Sequence, residues 1–505
     1  MFKSGWLTSV LLATLLALPA HAATFLVSNA NDSGPGSLRQ AIIDANNVPQ
    51  SGTVLVQFNQ IHAPIKLESG LPTATRSMEI RGLGYPYTPV IDGQGQNPVF
   101  RVDFTTSVGN ESFILSRLKL RNGYSRVAGG CLNLRDRFGT YIVENVDFTG
   151  CSTDGDLTYD NAQGGAIHGE GGSLTIAFSK FVENRAEGNS GHGGAVYFWG
   201  IGSNNELTII ASEFIDNTAK ADNSTGGAIT VTSAATTITD SIFHGNRALD
   251  KLYEYSTGTG GAIQARDVQS LSVHRSVFVD NQAREVGAIA MNLSSALPMK
   301  PLVLVNNTFV GNHASNGHGT IRTYEAEVTL RNNSFFANQG GSGFTNNFHG
   351  QDMYNLGSQL VPTYKFFNNL FSNTFPGASC ELGGSYDMHS DYNIIPAAEC
   401  GLTSSTNIQT TQVHLQGYRI DTQWPYAVLD APLRFFADSP AVDAGSPMTP
   451  DDDGTVACPS KDGFGNPRAS DGDSDGAARC DIGAFEWPHE APLFADDFED
   501  RLHGN

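Results

Sequence analysis

Apolar and polar residues alternate in short stretches along the middle of the chain, and these stretches repeat every thirty residues or so. Each copy contains a Phe-x-x-Asn motif, and successive phenylalanines are 33, 29, 35, 31 and 26 residues apart. The phenylalanines are Phe181, Phe214, Phe243, Phe278, Phe309 and Phe335. The asparagines are Asn184, Asn217, Asn246, Asn281, Asn312 and Asn338. A repeat of this length with drifting spacing is typical of a solenoid.

Two further positions recur in every copy. An aliphatic residue lies five positions before each phenylalanine, and Ser or Asn lies two positions before it. Short alternation of this kind predicts strands, and no copy has room for a crossover helix. Four copies of Gly-Gly-Ala-aliphatic, which start at Gly164, Gly193, Gly226 and Gly260, mark a corner where the backbone must be free of side chains. We therefore predict an all-β fold, a single-stranded right-handed parallel β-helix.

Stacking explains why the same residue types return. Equivalent positions of a β-helix lie one strand spacing apart, about 4.8 Å, so the phenylalanines would form an inward column and the asparagines would bond along a column at a turn. One active site does not need the same residue in every coil. We therefore interpret the repeated Phe and Asn residues as scaffold.

The combination of Gly-Gly-Ala-aliphatic with Phe-x-x-Asn resembles the repeats of the chlamydial polymorphic outer membrane proteins. Residues 36–42, Gly-Ser-Leu-Arg-Gln-Ala-Ile, resemble a segment at the start of many secreted β-helix proteins, with Gly36 where that family has Cys. Residues 439–445, 462–468 and 481–486 resemble the closing segment of the choice-of-anchor proteins. The resemblance implies a pectin-lyase-like solenoid in an extracellular setting.

A short helix is predicted at the N-terminal end. Ser37 and Gln40 have the spacing of a capping box, and four apolar residues after Ser37 fall on one helical face. These residues are Leu38, Ala41, Ile42 and Ala45. Such a helix would cover the unpaired edge and apolar end of the solenoid.

The N terminus has the features of an export signal. Lys3 supplies the charge, Leu7 to Leu18 is apolar, and a small-x-small site ends at Ala22. We divide the chain into signal peptide (1–22), N-terminal cap (23–60), parallel β-helix (61–376), C-terminal coils and closure (377–487) and acidic tail (488–505). No other stretch is long and apolar enough to span a bilayer. We expect a secreted or cell-surface monomer, with outer-membrane association as one setting.

The acidic composition of the chain excludes some classes of binding partner. The formal charge is -21 and only 16% of residues are charged. A surface that binds nucleic acid or anionic lipid needs clustered Lys and Arg, and the sequence has no such cluster. We expect an extracellular glycan or a cell-surface protein as the partner, and no nucleic acid.

Six cysteines fit an oxidising compartment. They form three pairs of neighbours along the chain, with separations of 20, 20 and 22 residues. The pairs are Cys131 with Cys151, Cys380 with Cys400, and Cys458 with Cys480. Sequential pairing is the simplest of the 15 connectivities that six cysteines allow. The alternative is a set of free, buried thiols.

One acidic stretch has the pattern of a calcium loop. Asp471, Asp473 and Asp475 alternate with other residues, so their oxygens could converge on one Ca²⁺ ion. An EF-hand needs Glu at the twelfth position, where Ile482 lies. The alternative is a solvated acidic turn, and no other cofactor is expected.

Three carboxylates, Glu183, Asp216 and Asp280, occupy the position before the repeated asparagine. Stacked carboxylates could bind calcium or assist sugar hydrolysis, which uses two acids about 5 to 10 Å apart. Gly245 and Gly311 take the same position in other coils, which favours an exposed, variable turn.

Two other patterns bear on sugar chemistry. Gly-His-Gly at 191–193 and 317–319 resembles a motif of β-helical polygalacturonases, but both copies simply precede the repeat corner and the companion motifs are missing. Arg117, Lys119 and Arg121 could meet an acidic polysaccharide, although solvent-facing strand residues explain them as well.

The sequence identifies no catalytic residue. We expect a role in adhesion or in extracellular glycan or protein binding, which rests on architecture and resemblance. The alternative is a polysaccharide lyase or glycoside hydrolase, which would need several acids together with His, Arg or Lys in one cleft.

Overall fold

The computed structural model describes residues 21–49, 52–105, 111–155, 161–202, 205–250, 258–293, 298–341, 345, 347–351, 361–372, 378–416, 419–421, 428–431, 434–452, 456–472 and 475–487. The predicted export signal, apart from His21 and Ala22, and the acidic tail lie outside the described residues. So does the predicted boundary at residue 376. Within the described ranges, no helix has both the length and the apolar character to cross a bilayer.

The chain forms a right-handed parallel β-helix, as predicted. Sheet A is the largest sheet, and each coil crosses it in two neighbouring strips. The first strip contains Thr24–Val27, Val54–Phe58, Met78–Arg81, Ser173–Ala177, Glu206–Ile210, Ala235–Thr239, Ser270–His274, Lys300–Val305, Ala326–Arg331, Thr363–Phe367 and Asp387–Asp391. The second contains Ile65–Lys66, Val90–Asp92, Lys180–Val182, Glu213–Ile215, Ile242–His244, Val277–Val279, Thr308–Val310, Ser334–Phe336, Leu370–Phe371, Ile394–Ile395 and Ile408–Gln409. Ser112–Arg121 and Thr140–Thr149 run through both strips.

Three smaller parallel sheets complete the coils. Sheet B contains Phe100–Asp103, Leu132–Arg135, Ile167–Glu170, Val196–Trp199, Ile229–Thr232, Ile263–Arg266, Ile289–Asn292, Ile321–Tyr324, Phe348–Gln351 and Cys380–Gly383. Sheet C contains Tyr124–Ser125, Ser152–Asp154, Arg185–Glu187, Thr218–Lys220, Arg247–Leu249, Gln282–Ala283 and His313–Ala314. Sheet D contains Asn161–Gln163, Ser190–His192 and Asn223–Thr225. Two short antiparallel pairs follow the coils: Leu415–Gln416 with Arg434–Phe435, and Arg419–Asp421 with Val428–Ala431.

The predicted Phe and Asn columns are confirmed. Neighbouring phenylalanine rings stack almost parallel with centroids 4.7 to 4.9 Å apart, and the column extends at its ends to Phe148 and Phe371. The asparagines are buried, and each Nδ2 donates to the Oδ1 atom of the next, as from Asn184 to Asn217 at 2.9 Å. A second column forms at the bend between the two strips of sheet A, where the Ser or Asn two positions before each phenylalanine accepts a bond from the coil before.

Helix α1 (Leu38–Asn46) contacts the first two strands of sheet A and confirms the predicted cap. The Ser37 hydroxyl accepts a hydrogen bond from the Gln40 amide at 3.2 Å, and all four predicted apolar residues are buried. The reciprocal half of the capping box is absent in these described residues, because the Gln40 side chain donates to Asp44 instead.

All six cysteines form disulfides in the predicted sequential order. The bonds join Cys131 to Cys151, Cys380 to Cys400, and Cys458 to Cys480. The alternative of free, buried thiols is therefore wrong, since every cysteine has a partner. The first bond links the corner of one coil to the end of its stretch through sheet A and staples an early regular coil. The second belongs to the last coils, and the third lies within the C-terminal segment.

The segment after residue 436 adds no further coil but lies along the outside of sheet A. Three asparagines with left-handed backbone conformation, Asn306, Asn332 and Asn368, hold it at the bend between the two strips. Their Nδ2 atoms donate to backbone carbonyls of the segment: Lys461 at 2.7 Å, Asp481 and Gly483 at 3.2 Å, and Val456 at 3.1 Å. The outward Phe336 packs against Ala484 and Phe485.

The acidic residues of the closing motifs are structural. Glu486 is buried, forms an ion pair with Arg468 at 3.1 Å, and accepts backbone N–H bonds from Ala469, Ser470 and Asp481. Burial raises the pKa of the Glu486 carboxyl. Asp462 similarly accepts bonds from three backbone amides. These carboxylates replace secondary structure by binding the amides of an irregular segment.

Candidate functional site

An outward row of side chains runs along sheet B. It consists of the fifth residue after the second position of each corner from Gly164-Gly165 to His318-Gly319, and we call it the sheet B row: Glu170, Trp199, Thr232, Arg266, Asn292 and Tyr324. Neighbouring members are register partners in parallel strands, so they lie one above another at about 4.8 Å. The residues just before them in each strand point into the core.

A second outward row of sheet B is largely covered. This inner row comprises the third residue after the same glycine: His168, Tyr197, Thr230, Gln264, Ala290 and Arg322. It is covered by the residues that precede each corner: Gln163, His192, Thr225, Thr259 and Glu285. Thr225 contacts Thr230 at 3.1 Å, for example, and Glu285 pairs with Arg322 at 2.9 Å. The sheet B row is therefore the accessible row of this sheet, and the inner row beside it is covered.

Aromatic side chains are concentrated on this face. The Trp199 side chain is 42% exposed although it is a large apolar group. Beside it, in the inner row, the rings of His168 and Tyr197 stack with centroids 5.4 Å apart. The ring centroid of His192 lies 6.1 Å from that of Tyr197. Tyr324 lies four coils from Trp199, about 19 Å along the axis, and the Arg322 guanidinium lies 4.9 Å from its ring centroid. The face thus carries two aromatic platforms on one line.

Most charges on this face are compensated. Arg135 pairs with Glu170 at 3.2 Å, and Arg322 pairs with Glu285. Arg266 is exposed and forms no ion pair with any described residue. Within the described part of the chain it is therefore a positive charge without an ion-pair partner, near the middle of the sheet B row.

Three histidines of this face, His168, His192 and His318, are neutral at pH 7 because their pKa values are lowered. Burial, with a smaller contribution from Arg135, lowers the pKa of His168 to about 4. Burial and Arg266 lower the pKa of His192 to about 4, and burial with His349 and Arg322 lowers that of His318 to about 3. These imidazoles act as packing and hydrogen-bonding groups rather than as cations.

One end of the face brings titratable groups together. The rings of His318 and His349 stack with centroids 3.6 Å apart, and His349 Nδ1 lies 3.6 Å from Glu381 Oε2. Arg322 and Glu285 lie beside them. All but the two carboxylates are nearly buried, which limits the access of a substrate to these imidazoles.

The histidines of the two Gly-His-Gly motifs do not meet. His192 lies before a corner of sheet B and bonds to Thr225 at 2.7 Å. His318 takes the place of the first corner glycine, several coils away, and bonds to Thr345 at 2.9 Å. Each therefore belongs to the scaffold of its own coil.

Glu183, Asp216 and Asp280 lie in one column, as predicted from their position before the asparagine. Each has a left-handed backbone, with φ between 51° and 54°, and Gly245 and Gly311 at the same position have φ of 64°. This conformation explains why Gly alternates with carboxylates there. The column borders a hollow of about 650 Å³ that Arg185 and Arg247 also line, so the acidic charge is offset.

The calcium proposal is untested, because Asp473 lies outside the described residues. Asp471 and Asp475 accept hydrogen bonds from the amides of Gly476 and Ala477. Among the described residues, no group of three or more His, Cys, Asp or Glu side chains has the spacing to hold a metal ion.

The basic stretch of Ser112–Arg121 does not form one face. Arg117 has φ of +57° and lies at the bend between the two strips of sheet A. Lys119 and Arg121 pair with Asp147 at 3.5 Å and Asp92 at 2.9 Å. This stretch is therefore a weaker candidate for an anionic ligand than the sheet B row.

No protein-family model matches the chain, and the searches of curated proteins and of solved structures gave no match either.

Proposed function

We propose that this chain is an exported glycan-binding protein that holds a sugar chain along the sheet B row. The single observation that carries the proposal is the alignment of exposed Trp199 with Tyr324 on one outward line, with Arg266 between them. Aromatic rings offer an apolar face to the C–H face of a sugar, while flanking polar groups bond to its hydroxyls.

The geometry of the coils supports an extended ligand. Each coil adds one strand spacing, about 4.8 Å, so the side chains of the sheet B row recur at a regular interval along the solenoid axis. Thr232 and Asn292 supply polar side chains between the aromatic residues and Arg266. A sugar chain lying parallel to the solenoid axis would meet an aromatic or polar side chain at each coil.

We also propose that the protein is secreted or lies at the cell surface. Repeats that resemble those of polymorphic outer membrane proteins, terminal segments that resemble those of choice-of-anchor proteins, and three disulfides support a secreted or cell-surface location. Adhesion to a glycan-coated surface follows from that location.

The test is glycan binding by the purified protein on an array, with Trp199→Ala and Tyr324→Ala as variants. Loss of a stacked, partly exposed aromatic should weaken binding about tenfold. Phe436→Ala is the matched control, because Phe436 is 46% exposed but follows the strand Arg434–Phe435, outside sheet B. Binding that both row variants leave unchanged would refute the assignment of this face.

A second candidate is a polysaccharide lyase or glycosidase. The observation that favours it is the group of His318, His349, Arg322 and Glu285 at one end of the face. Incubation with neutral and acidic polysaccharides, followed by assays for new reducing ends and unsaturated products, distinguishes the two functions. Turnover that His349→Gln abolishes would place catalysis there and overturn the binding-only proposal.

A further inference from the structure

We infer that the ligand of the sheet B row is an acidic glycan whose anionic group binds Arg266. This inference rests on the proposed glycan-binding function and names the class of glycan. The anionic group is either a uronic-acid carboxylate or a sugar sulfate ester, because both present paired oxygens to a guanidinium.

The first argument is charge. From Ile167–Glu170 to Ile321–Tyr324, the outward charged side chains of the described strands are Glu170, Arg266 and Arg322. Glu170 and Arg322 are paired with Arg135 and Glu285. Only the charge of Arg266 lacks a partner among these strands, so an anion placed there would complete the pairing of the row.

The residue next to Arg266 does not supply that partner. Asp267 lies at the following corner with φ of +50° and has a contact of its own. No described ion pair joins it to Arg266. The neighbouring imidazole of His192 is neutral, so it neither repels a cation nor binds an anion by charge.

The second argument is position. Arg266 lies two coils from Trp199 and two coils from Tyr324, about 10 Å from each along the axis. A glycan stacked on both aromatic residues therefore passes over Arg266 at its midpoint. Asn292, the next member of the row, places a side-chain amide between Arg266 and Tyr324, and its Oδ1 atom is buried without a hydrogen-bond partner among the described residues.

The acidity of the whole protein does not oppose this contact. The formal charge of -21 is spread over a long solenoid. At about 0.1 M salt the Debye length is roughly 10 Å, so a bound anion senses mainly Arg266 and its paired neighbours. Distant carboxylates should slow the approach of a polyanion at low salt without preventing a short-range ion pair.

The experiment measures binding of the full-length mature protein to four probes by calorimetry at 50 mM and 500 mM NaCl. Oligogalacturonate carries carboxylates, dextran sulfate carries sulfate esters, maltohexaose is neutral and polyglutamate is an acidic polypeptide. Arg266→Gln should weaken binding of the acidic glycan about tenfold, because a charge-assisted bond is lost. Arg247→Gln, an exposed arginine on sheet C with the same charge change, should leave binding unchanged.

The outcomes separate this inference from the proposed function. Binding of either acidic glycan that falls in Arg266→Gln but not in Arg247→Gln supports the inference, and the two probes tell carboxylate from sulfate. Equal binding of maltohexaose, lost in Trp199→Ala and unchanged in Arg266→Gln, overturns the acidic ligand and keeps glycan binding. Binding of polyglutamate alone, or of no probe, overturns both. Unchanged thermal unfolding of each variant shows that the effects concern the surface.

Discussion

A Cβ atom on Gly165 would lie 2.2 Å from the carbonyl oxygen of Gly194 in the next coil. The contact repeats along the column, with 2.1 Å from Gly194 to Gly227 and from Gly227 to Gly261. The corner before sheet B is therefore packed backbone against backbone, with no space for a side chain. This corner fixes the register of sheet B, and hence the alignment of the sheet B row.

We expect Gly194→Ala to lower the free energy of unfolding by roughly 2 to 4 kcal/mol, because the added methyl group must displace a neighbouring coil. Denaturant unfolding followed by circular dichroism measures the change. Gly84→Ala is the control, since a Cβ at Gly84 meets no atom within 4 Å. Equal stability of the two variants would contradict the packing of this corner.

The stability of the protein should be equally sensitive to substitutions in the Asn column. Asn246 is fully buried, its Nδ2 donates to Phe214 O at 2.8 Å and Asn281 Oδ1 at 2.9 Å, and its Oδ1 accepts from Asn217. Asn246→Ala leaves several buried groups without partners, so we expect a loss of about 2 to 5 kcal/mol. Thr237→Ala, at an exposed position of sheet A, should change stability by less than about 0.5 kcal/mol.

Stability should fall at acid pH because of the buried histidines. The pKa of His168 is lowered to about 4, so between pH 6.5 and 4 the unfolded chain binds a proton that the folded chain does not. The stability from this residue is complete above pH 6.5 and lost as the pH falls toward 4, roughly 3 kcal/mol in all. The difference between the denaturant midpoints at pH 7.5 and pH 4.5 should be smaller in His168→Gln than in the parent protein. It should be unchanged in His389→Gln, because His389 is an exposed histidine. A pH-independent midpoint in the parent protein would refute this.

The three left-handed asparagines should control the docking of the C-terminal segment. Asn332→Gly keeps the backbone conformation, with φ of 53° in the parent, but removes the bonds to Asp481 and Gly483. We expect faster limited proteolysis within residues 436–487 and intact coils. Ala211→Gly is the control, because Ala211 has the same left-handed backbone in an earlier coil. Cleavage at the parent rate would show that other contacts hold the segment.

The scaffold could be predicted from the sequence because its chemistry is repeated. Phe181, Phe214 and the later phenylalanines recur at near-constant spacing, and the Asn residues follow them at a fixed distance. The cap helix was predictable because the signals of helix α1 are local. The cysteine pairs, such as Cys380 with Cys400, followed from separations shorter than one coil.

The candidate site could not be predicted so directly, because each member of the sheet B row occurs once. Trp199, Arg266 and Tyr324 share no residue type, and their alignment depends on register. Comparing the fifth residue after the second corner glycine in successive coils would have identified this row from the sequence. The docking of residues 436–487 depends on contacts such as Asn332 with Asp481, which are 149 residues apart and leave no local pattern.

The most direct test of the central proposal is the dependence of affinity on ligand length, measured with a size series of the oligosaccharide that binds. We expect affinity to rise until the chain spans from Trp199 to Tyr324, about 19 Å, and then to level off. In Tyr324→Ala the affinity should level off at a shorter chain. An affinity that does not depend on length, or a plateau that Tyr324→Ala leaves in place, would contradict a glycan held along the sheet B row.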